Sequence, residues 1–119
     1  MSLDFYDSNG RPYAYTDDGV HLFSFTGIPI GYVSADSIYS YSGVHIGYFN
    51  DGVIRDDRGD TLLFTNESTA GPMKPMKQMK PMKGMKQMKP MKGMKQMKPM
   101  RPMKTQGWSG YEPEHIFES

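Results

Sequence analysis

The sequence predicts a mainly β protein, in which a meander of four short β-hairpin repeats precedes an ordered, non-helical run of x-Met-Lys triplets. Three observations support this prediction. Gly10, Gly27, Gly43 and Gly59 are spaced by 17, 16 and 16 residues. Short stretches rich in Tyr, Phe, Ile and Val flank these glycines. From Pro72 to Lys104 every third residue is basic.

Each of the four repeats is predicted to be one hairpin. The second halves read GRPYAYT (10–16), GIPIGYV (27–33), GVHIGYF (43–49) and GDTLLFT (59–65), and the first halves are LDFY (3–6), VHLFSF (20–25), SIYSY (37–41) and VI (53–54). Aromatic and β-branched residues favour strands, and glycine supplies the positive φ of a tight turn. Consecutive hairpins pair antiparallel, so eight strands form a meander. Whether the sheet closes is left open by the sequence.

Acidic residues mark the predicted turns. They are Asp17, Asp18, Asp36, Asp51, Asp56 and Asp57. A short carboxylate in a turn accepts hydrogen bonds from nearby backbone N–H groups. These residues are therefore expected to cap turns. A ligand site is not predicted there, because DDRGD (56–60) resembles neither a calcium loop nor a phosphate loop.

Charge divides the chain into three predicted segments. Residues 1–71, the four-hairpin β domain, hold three Arg against nine Asp and one Glu, a net charge of −7. Residues 72–104, here called the triplet thread, hold ten Lys and one Arg without any acid, a net charge of +11. Residues 105–119 form a tail with three Glu, in which Trp108 is expected to anchor the end of the triplet thread to the sheet. Tyr111 to Ser119 is expected to be mobile.

The triplet thread is predicted to be ordered but not helical. Its prolines exclude an α-helix, and a period of three disfavours a flat strand. A polyproline helix or a winding solenoid fits that period, and a longer repeat of nine, Gln-Pro-Gly at every third position, could be one three-sided turn. As a straight rod, 33 residues would span about 100 Å, against roughly 30 Å for the β domain. The triplet thread must therefore wind, fold back or run through an assembly.

The stretch GVHIGYFNDGVIRDDRGDTLLFTNESTAGP (43–72), followed by basic triplets and Gly107-Trp108-Ser109, resembles the bacterial 4-fold β-flower family. The resemblance covers roughly Leu3 to Ser109. It implies a β-rich oligomeric assembly, an oligomeric β-flower, with a homotetramer favoured and no assigned activity. It also implies that the middle position of each triplet belongs to a core. This sequence departs from the family's aliphatic residues by placing Met in all eleven triplets.

The first functional hypothesis is a non-enzymatic structural or interaction module that assembles through its methionines. The predicted oligomer core is Met76, Met79, Met82, Met85, Met88, Met91, Met94, Met97 and Met100, with the lysines facing outward. Flexible Met side chains fill apolar interfaces well. Their thioethers could instead bind Cu(I) or Ag(I), but no His or Cys lies among them, and no metal or other cofactor is predicted.

The alternative is a protein that binds nucleic acid or another polyanion through its basic edge. The residues concerned are Lys77, Lys80, Lys83, Lys86, Lys89, Lys92, Lys95, Lys98 and Arg101. Lysines on a polyproline edge stand about 9 Å apart, a workable match to phosphates. No aromatic residue interrupts the triplet thread, so base stacking is unavailable there.

Other classes are disfavoured. The chain has no Cys, so disulfides and thiolate sites are excluded. No apolar run approaches the ~20 residues that cross a bilayer, and no signal peptide is evident. A cytoplasmic protein is expected, although export without a signal is compatible with the sequence. No nucleophile with its base can be named, and His21, His45 and His115 are expected to be strand or tail residues, so no enzyme is predicted.

Overall fold

The computed structural model describes residues 2–117, which form an eight-stranded antiparallel barrel. The strands are β1 (Leu3–Tyr6), β2 (Pro12–Thr16), β3 (His21–Ser24), β4 (Pro29–Ser34), β5 (Ser37–Tyr39), β6 (His45–Asn50), β7 (Val53–Asp56) and β8 (Thr61–Phe64), followed by the helix α1 (Pro113–Phe117). The prediction of four consecutive hairpins is confirmed. Closure depends on one register pair, Tyr6 with Phe64, between β1 and β8.

The four hairpin turns share one construction. Gly10, Gly27, Gly43 and Gly59 have φ values of 79°, 97°, 99° and 91°, a left-handed conformation that favours glycine. A carboxylate or hydroxyl three residues earlier accepts turn N–H groups, as Asp56 does from Arg58 and Asp60. In the connection between β2 and β3, Asp18 accepts from the backbone N–H groups of Val20 and His21. The predicted capping by acidic residues is thus confirmed at these two positions.

A bulge bends each hairpin at the same place. The register shifts between Phe5 and Tyr6, and shifts again at the corresponding position in β3, β5 and β7. Bulges increase strand twist and curvature. Four bulges at equal spacing therefore curl this meander into a barrel.

The barrel has an apolar face on each side of its wall. The interior holds Leu3, Phe5, Ala14, Leu22, Ile38, Ile46, Ile54, Leu62, Leu63 and Phe117. On the outer face, cross-strand ring pairs lie at three of the four junctions between hairpins: Tyr6–Phe64, Tyr15–Phe23 and Tyr32–Tyr39. We call these the outer aromatic pairs. Their side chains are buried, although the strands of the barrel do not cover the outer face of the wall. Another part of the chain must therefore cover them.

The segment after the triplet thread is ordered as far as the structure describes it. Trp108 forms a bridge with Thr61 and packs on the ring of Phe64, which confirms the predicted anchor. The expectation of a mobile tail from Tyr111 is wrong for residues 111–117. Phe117, which is only 4% exposed, enters the barrel core from α1. Glu118 and Ser119 lie outside the described residues.

Candidate functional site

The triplet thread winds once around the outside of the barrel and passes the four hairpins in chain order. The carbonyl groups of Met76, Met85, Met94 and Met103 lie against the four turn glycines. A circle about 30 Å across has a circumference near 95 Å, which matches the length expected for a 33-residue extended segment. The structure measures 36 × 35 × 25 Å, so the molecule is a flat disc with the triplet thread wound around it.

Backbone hydrogen bonds fix the register of this winding. The N–H groups of Gln78, Gln87 and Gln96 donate to the carbonyls of Gly10, Gly27 and Gly43, each at 2.8 Å, and Thr105 donates to Gly59 at 3.2 Å. The nine-residue repeat therefore spans one hairpin. Of the two alternatives that the period left open, the solenoid with nine residues in one three-sided turn is wrong, because these N–H groups bond to the barrel.

The two glycines that begin triplets lie close against the barrel. Gly84 and Gly93 donate to the carbonyls of Phe25 and Tyr41, each at 2.7 Å. A Cβ on Gly84 would lie only 2.5 Å from the carbonyl oxygen of Thr26, so a larger residue does not fit there. The prolines lack an N–H group and occupy triplets that make no such bond.

The basic side chains lie back against the barrel wall. Lys83 lies over the ring of Tyr15 at 4.2 Å, Lys92 over Tyr32 at 4.3 Å and Arg101 over Tyr48 at 4.7 Å. Further contacts place Lys77 over Tyr6, Lys86 over Phe23 and Lys95 over Tyr39. The expectation of outward lysines is therefore wrong. Their stems cover the outer aromatic pairs, and their charged ends gain cation–π attraction.

One aspartate at each junction between hairpins pairs with the triplet thread. Lys80 bonds Asp4 at 2.8 Å, Lys86 bonds Asp17 at 2.6 Å and Lys104 bonds Asp51 at 2.9 Å. Lys83 also lies near Asp17, and Lys98 and Arg101 pair with Asp36. The negative barrel thus offsets part of the positive charge of the triplet thread within one chain.

Acid is expected to loosen the triplet thread. The hydrogen bond from Lys86 holds the pKa of Asp17 below its usual value of 3.8, despite partial desolvation. A pKa that is lower in the folded state gives stability that is present above about pH 4 and is lost as the pH falls further. We expect the melting temperature of Asp17→Asn to fall less than that of the wild type between pH 5 and pH 2.5. Glu112→Gln, which changes an exposed carboxylate of the tail, is the control. Equal acid sensitivity of all three proteins would contradict this prediction.

The methionines face away from the barrel. All eleven are 88–95% exposed, and they recur at every third residue along the triplet thread. Together they are here called the methionine rim: Met73, Met76, Met79, Met82, Met85, Met88, Met91, Met94, Met97, Met100 and Met103. Single exposed apolar side chains are ordinary on a protein surface, but eleven of them in one row around the molecule are not. They contribute to no core within one chain. Their place in the core of an oligomer stays a prediction.

The predicted polyanion edge is half covered. In the ion pairs, the Lys and Arg side chains of the triplet thread are 41–50% exposed, and each faces an aspartate of its own chain. Lys77, Lys92 and Lys95 lie over tyrosine rings instead. Lys89 is exposed in the second hairpin's stretch of the triplet thread.

The structure also brings together three residues that sequence reasoning did not connect. His45 bonds Asp57 through Nδ1 at 2.7 Å and Ser37 through Nε2 at 3.1 Å. This order of groups is that of a hydrolytic triad. However, Ser37 is 0% exposed, so a substrate carbonyl has no path to its hydroxyl. The two hydrogen bonds instead connect β5, β6 and the last hairpin turn.

The described residues offer little support for other kinds of site. No cluster of three His, Asp or Glu residues within 2–117 is arranged to hold a metal ion. In the same range, no helix has the length and hydropathy needed to span a membrane.

Fold and surface together define a class: a four-hairpin barrel encircled by its own C-terminal triplets. The family model described as 4-fold beta flower protein matches residues 3–117. The chain therefore belongs to the 4-fold beta flower family. Among curated proteins and solved structures, none matches it.

Proposed function

We propose that the protein is a non-enzymatic structural module whose methionine rim joins copies of the chain into a homo-oligomer. The observation that carries the proposal is the nearly complete exposure of all eleven methionines along the triplet thread. Interfaces are enriched in Met, and a standard interface buries about 800 Å² on each partner.

A second copy is the favoured occupant because the whole chain has a formal net charge of only +1. Lys80, Lys86 and Lys104 already have aspartate partners, so the rim of one disc does not repel the rim of the next. The methionine rim faces outward rather than toward a central axis, so neighbouring discs would meet side by side. In the predicted tetramer, a closed ring of four discs would give each copy two neighbours. The four hairpins within one chain already supply four-fold geometry, so copy number needs its own measurement.

Exchange of rim methionines for glutamine is expected to dissociate the oligomer. We would change Met79, Met82, Met88, Met91, Met97 and Met100 together, because these side chains are exposed and the change removes the apolar surface while keeping the length. Light scattering on the wild type is expected to give about four times the chain mass of 13.5 kDa. The glutamine variant is expected to give the mass of one chain.

The matched control is the same six positions changed to leucine, which should keep the oligomer. A wild type that is monomeric up to millimolar concentration would overturn the proposal. A glutamine variant with the wild-type mass would overturn the role of the methionine rim. Removing the triplet thread is a poorer test, because it also uncovers the outer aromatic pairs and promotes aggregation by itself.

Polyanion binding is the alternative function, and the contacts of the basic residues weigh against it. A phosphate chain would have to displace Asp17, Asp36 and Asp51 from their lysine and arginine partners. Those carboxylates are held close by the barrel, so the competition is intramolecular. The methionine side chains, in contrast, are 88–95% exposed, so a second copy could pack on them without displacing contacts of the kind that the lysines make.

A further inference from the structure

One junction between hairpins departs from the pattern of the other three. The outer wall positions are those four residues before and five residues after each turn glycine. Aromatic residues occupy seven of these eight positions: Tyr6, Tyr15, Phe23, Tyr32, Tyr39, Tyr48 and Phe64. The eighth is Arg55, which lies opposite Tyr48 in the sheet register. A cationic side chain therefore stands where the repeat places a ring.

The triplet thread departs from its own pattern at the same place. Arg101 is its one arginine, and it lies over Tyr48. A cavity of about 10 Å³ lies between these elements, lined by Tyr48, Asn50, Arg55, Arg101, Pro102 and Lys104. Two exceptions that are 46 positions apart in the sequence thus border a single small space.

The guanidinium of Arg55 is buried without a carboxylate. Its residue is 3% exposed, and its Nη1 donates to the carbonyls of Gly59 and Thr105, each at 2.7 Å. Among residues 2–117, neither Nε nor Nη2 has a hydrogen-bond partner, and no acid lies within ion-pair distance. Burying an unpaired charge is costly, so the side chain requires a counter-charge.

The surrounding charges leave an excess of positive charge. Arg101 and Lys104 are neutralised by Asp36 and Asp51. Lys74, whose ammonium donates to the carbonyl of Ala70, is not paired with an acid among the described residues. Burial, and then the nearby charge of Arg55, lower the pKa of Lys74. This second cation increases the need for an anion at the junction.

We propose that this cavity binds one small inorganic anion of the size of chloride, held by Arg55. The small volume of the cavity, about 10 Å³, favours a monatomic anion over phosphate or a nucleotide. A water molecule could accept from Nε and Nη2, but it would not offset the charge. Asn50, whose Oδ1 is buried without a partner, can rotate its amide to present Nδ2 as a further donor.

Halide dependence of stability tests the site in the wild-type chain. At constant ionic strength, replacing gluconate by chloride or bromide is expected to raise the melting temperature by about 3 °C or more. Crystals grown in bromide are expected to show an anomalous peak beside the Arg55 guanidinium. Equal melting temperatures in gluconate and chloride, or no peak beside Arg55, would overturn the proposal, and water would then be the occupant.

Arg55→Met supplies the matched variant, since it removes the charge and keeps an unbranched apolar stem. Its melting temperature is expected to be independent of halide. Arg58→Met is the control, because Arg58 is exposed on the same hairpin and lies outside the cavity. It should keep the full halide effect. If Arg55→Met does not fold, the wild-type halide series and the bromide peak decide the question.

Discussion

Replacing Gly43 by alanine is expected to lower the free energy of unfolding by at least about 3 kcal/mol. A left-handed φ of 99° costs a residue with a Cβ roughly 1–2 kcal/mol. The added carbon would also overlap the carbonyl of Met94, which belongs to the rigid backbone of the triplet thread. The turn and the triplet thread cannot both keep their places. Chemical denaturation followed by tryptophan fluorescence measures the loss, since Trp108 reports on the end of the triplet thread.

Two further glycines separate the causes of this effect. Gly110→Ala should change stability by less than about 0.5 kcal/mol, because no heavy atom lies within 4 Å of its added carbon. Gly93→Ala should have an intermediate effect. Its φ is not left-handed, but its Cβ would lie 2.5 Å from the carbonyl oxygen of Ser42. A Gly43→Ala protein as stable as Gly110→Ala would show that the triplet thread does not lie against this turn.

Phe117→Ala is expected to lower the free energy of unfolding by about 3–5 kcal/mol, the usual cost of deleting a buried phenyl ring. Phe117 is 4% exposed and packs beside the ring of Tyr13 at 5.8 Å, close to Gly31. Its loss opens one end of the barrel. Thermal or urea unfolding gives the change directly.

Tyr111→Ala is the control for Phe117→Ala, because Tyr111 is 45% exposed and precedes α1. It should lose less than about 1 kcal/mol. If Phe117→Ala unfolds like the wild type, α1 does not close the barrel, and the tail from Tyr111 is mobile as the sequence suggested.

The sequence predicts the hairpins well because their signals are local. Positive φ at Gly27 or Gly43 and alternating aromatic residues act within a few positions of each other. Closure of the barrel is different, since it rests on the pairing of Tyr6 in the first strand with Phe64 in the last strand, which are far apart in the sequence. No local pattern encodes that contact. The repeated bulges make this closure possible. They occur at different residue types in the four hairpins, so the sequence does not reveal them.

The orientation of the triplet thread was wrong for a physical reason. A period of three distinguishes three edges, but it does not say which edge faces the barrel. Hydropathy suggested methionine, whereas the wall offers tyrosine faces and aspartates that suit lysine. A signal was present in the strands: Tyr15 and Tyr32 alternate with Ala14 and Gly31, so apolar groups occupy both faces of the sheet. A sheet that is apolar on both faces needs a cover, and the triplet thread is the cover.

Arg55 and α1 could not be found in the same way. One arginine in a strand is ordinary until the four repeats are aligned on their turn glycines and the outer face of the wall is known. Phe117 sits in a short acidic tail where two apolar residues, Ile116 and Phe117, form no periodic pattern. Both therefore depended on three-dimensional placement.

The register between the triplet thread and the turns limits how this gene can change in length. One hairpin takes 16 or 17 residues of barrel, whereas the matching stretch of the triplet thread takes nine, and the two stretches are encoded far apart. Duplicating a hairpin alone would leave one turn without its partner carbonyl. Duplicating nine residues of the triplet thread alone would leave a loop with no turn to meet. A barrel with three or five hairpins would require two coordinated insertions or deletions, one in each stretch. A single duplication leaves the two stretches mismatched, so the number of hairpins stays at four.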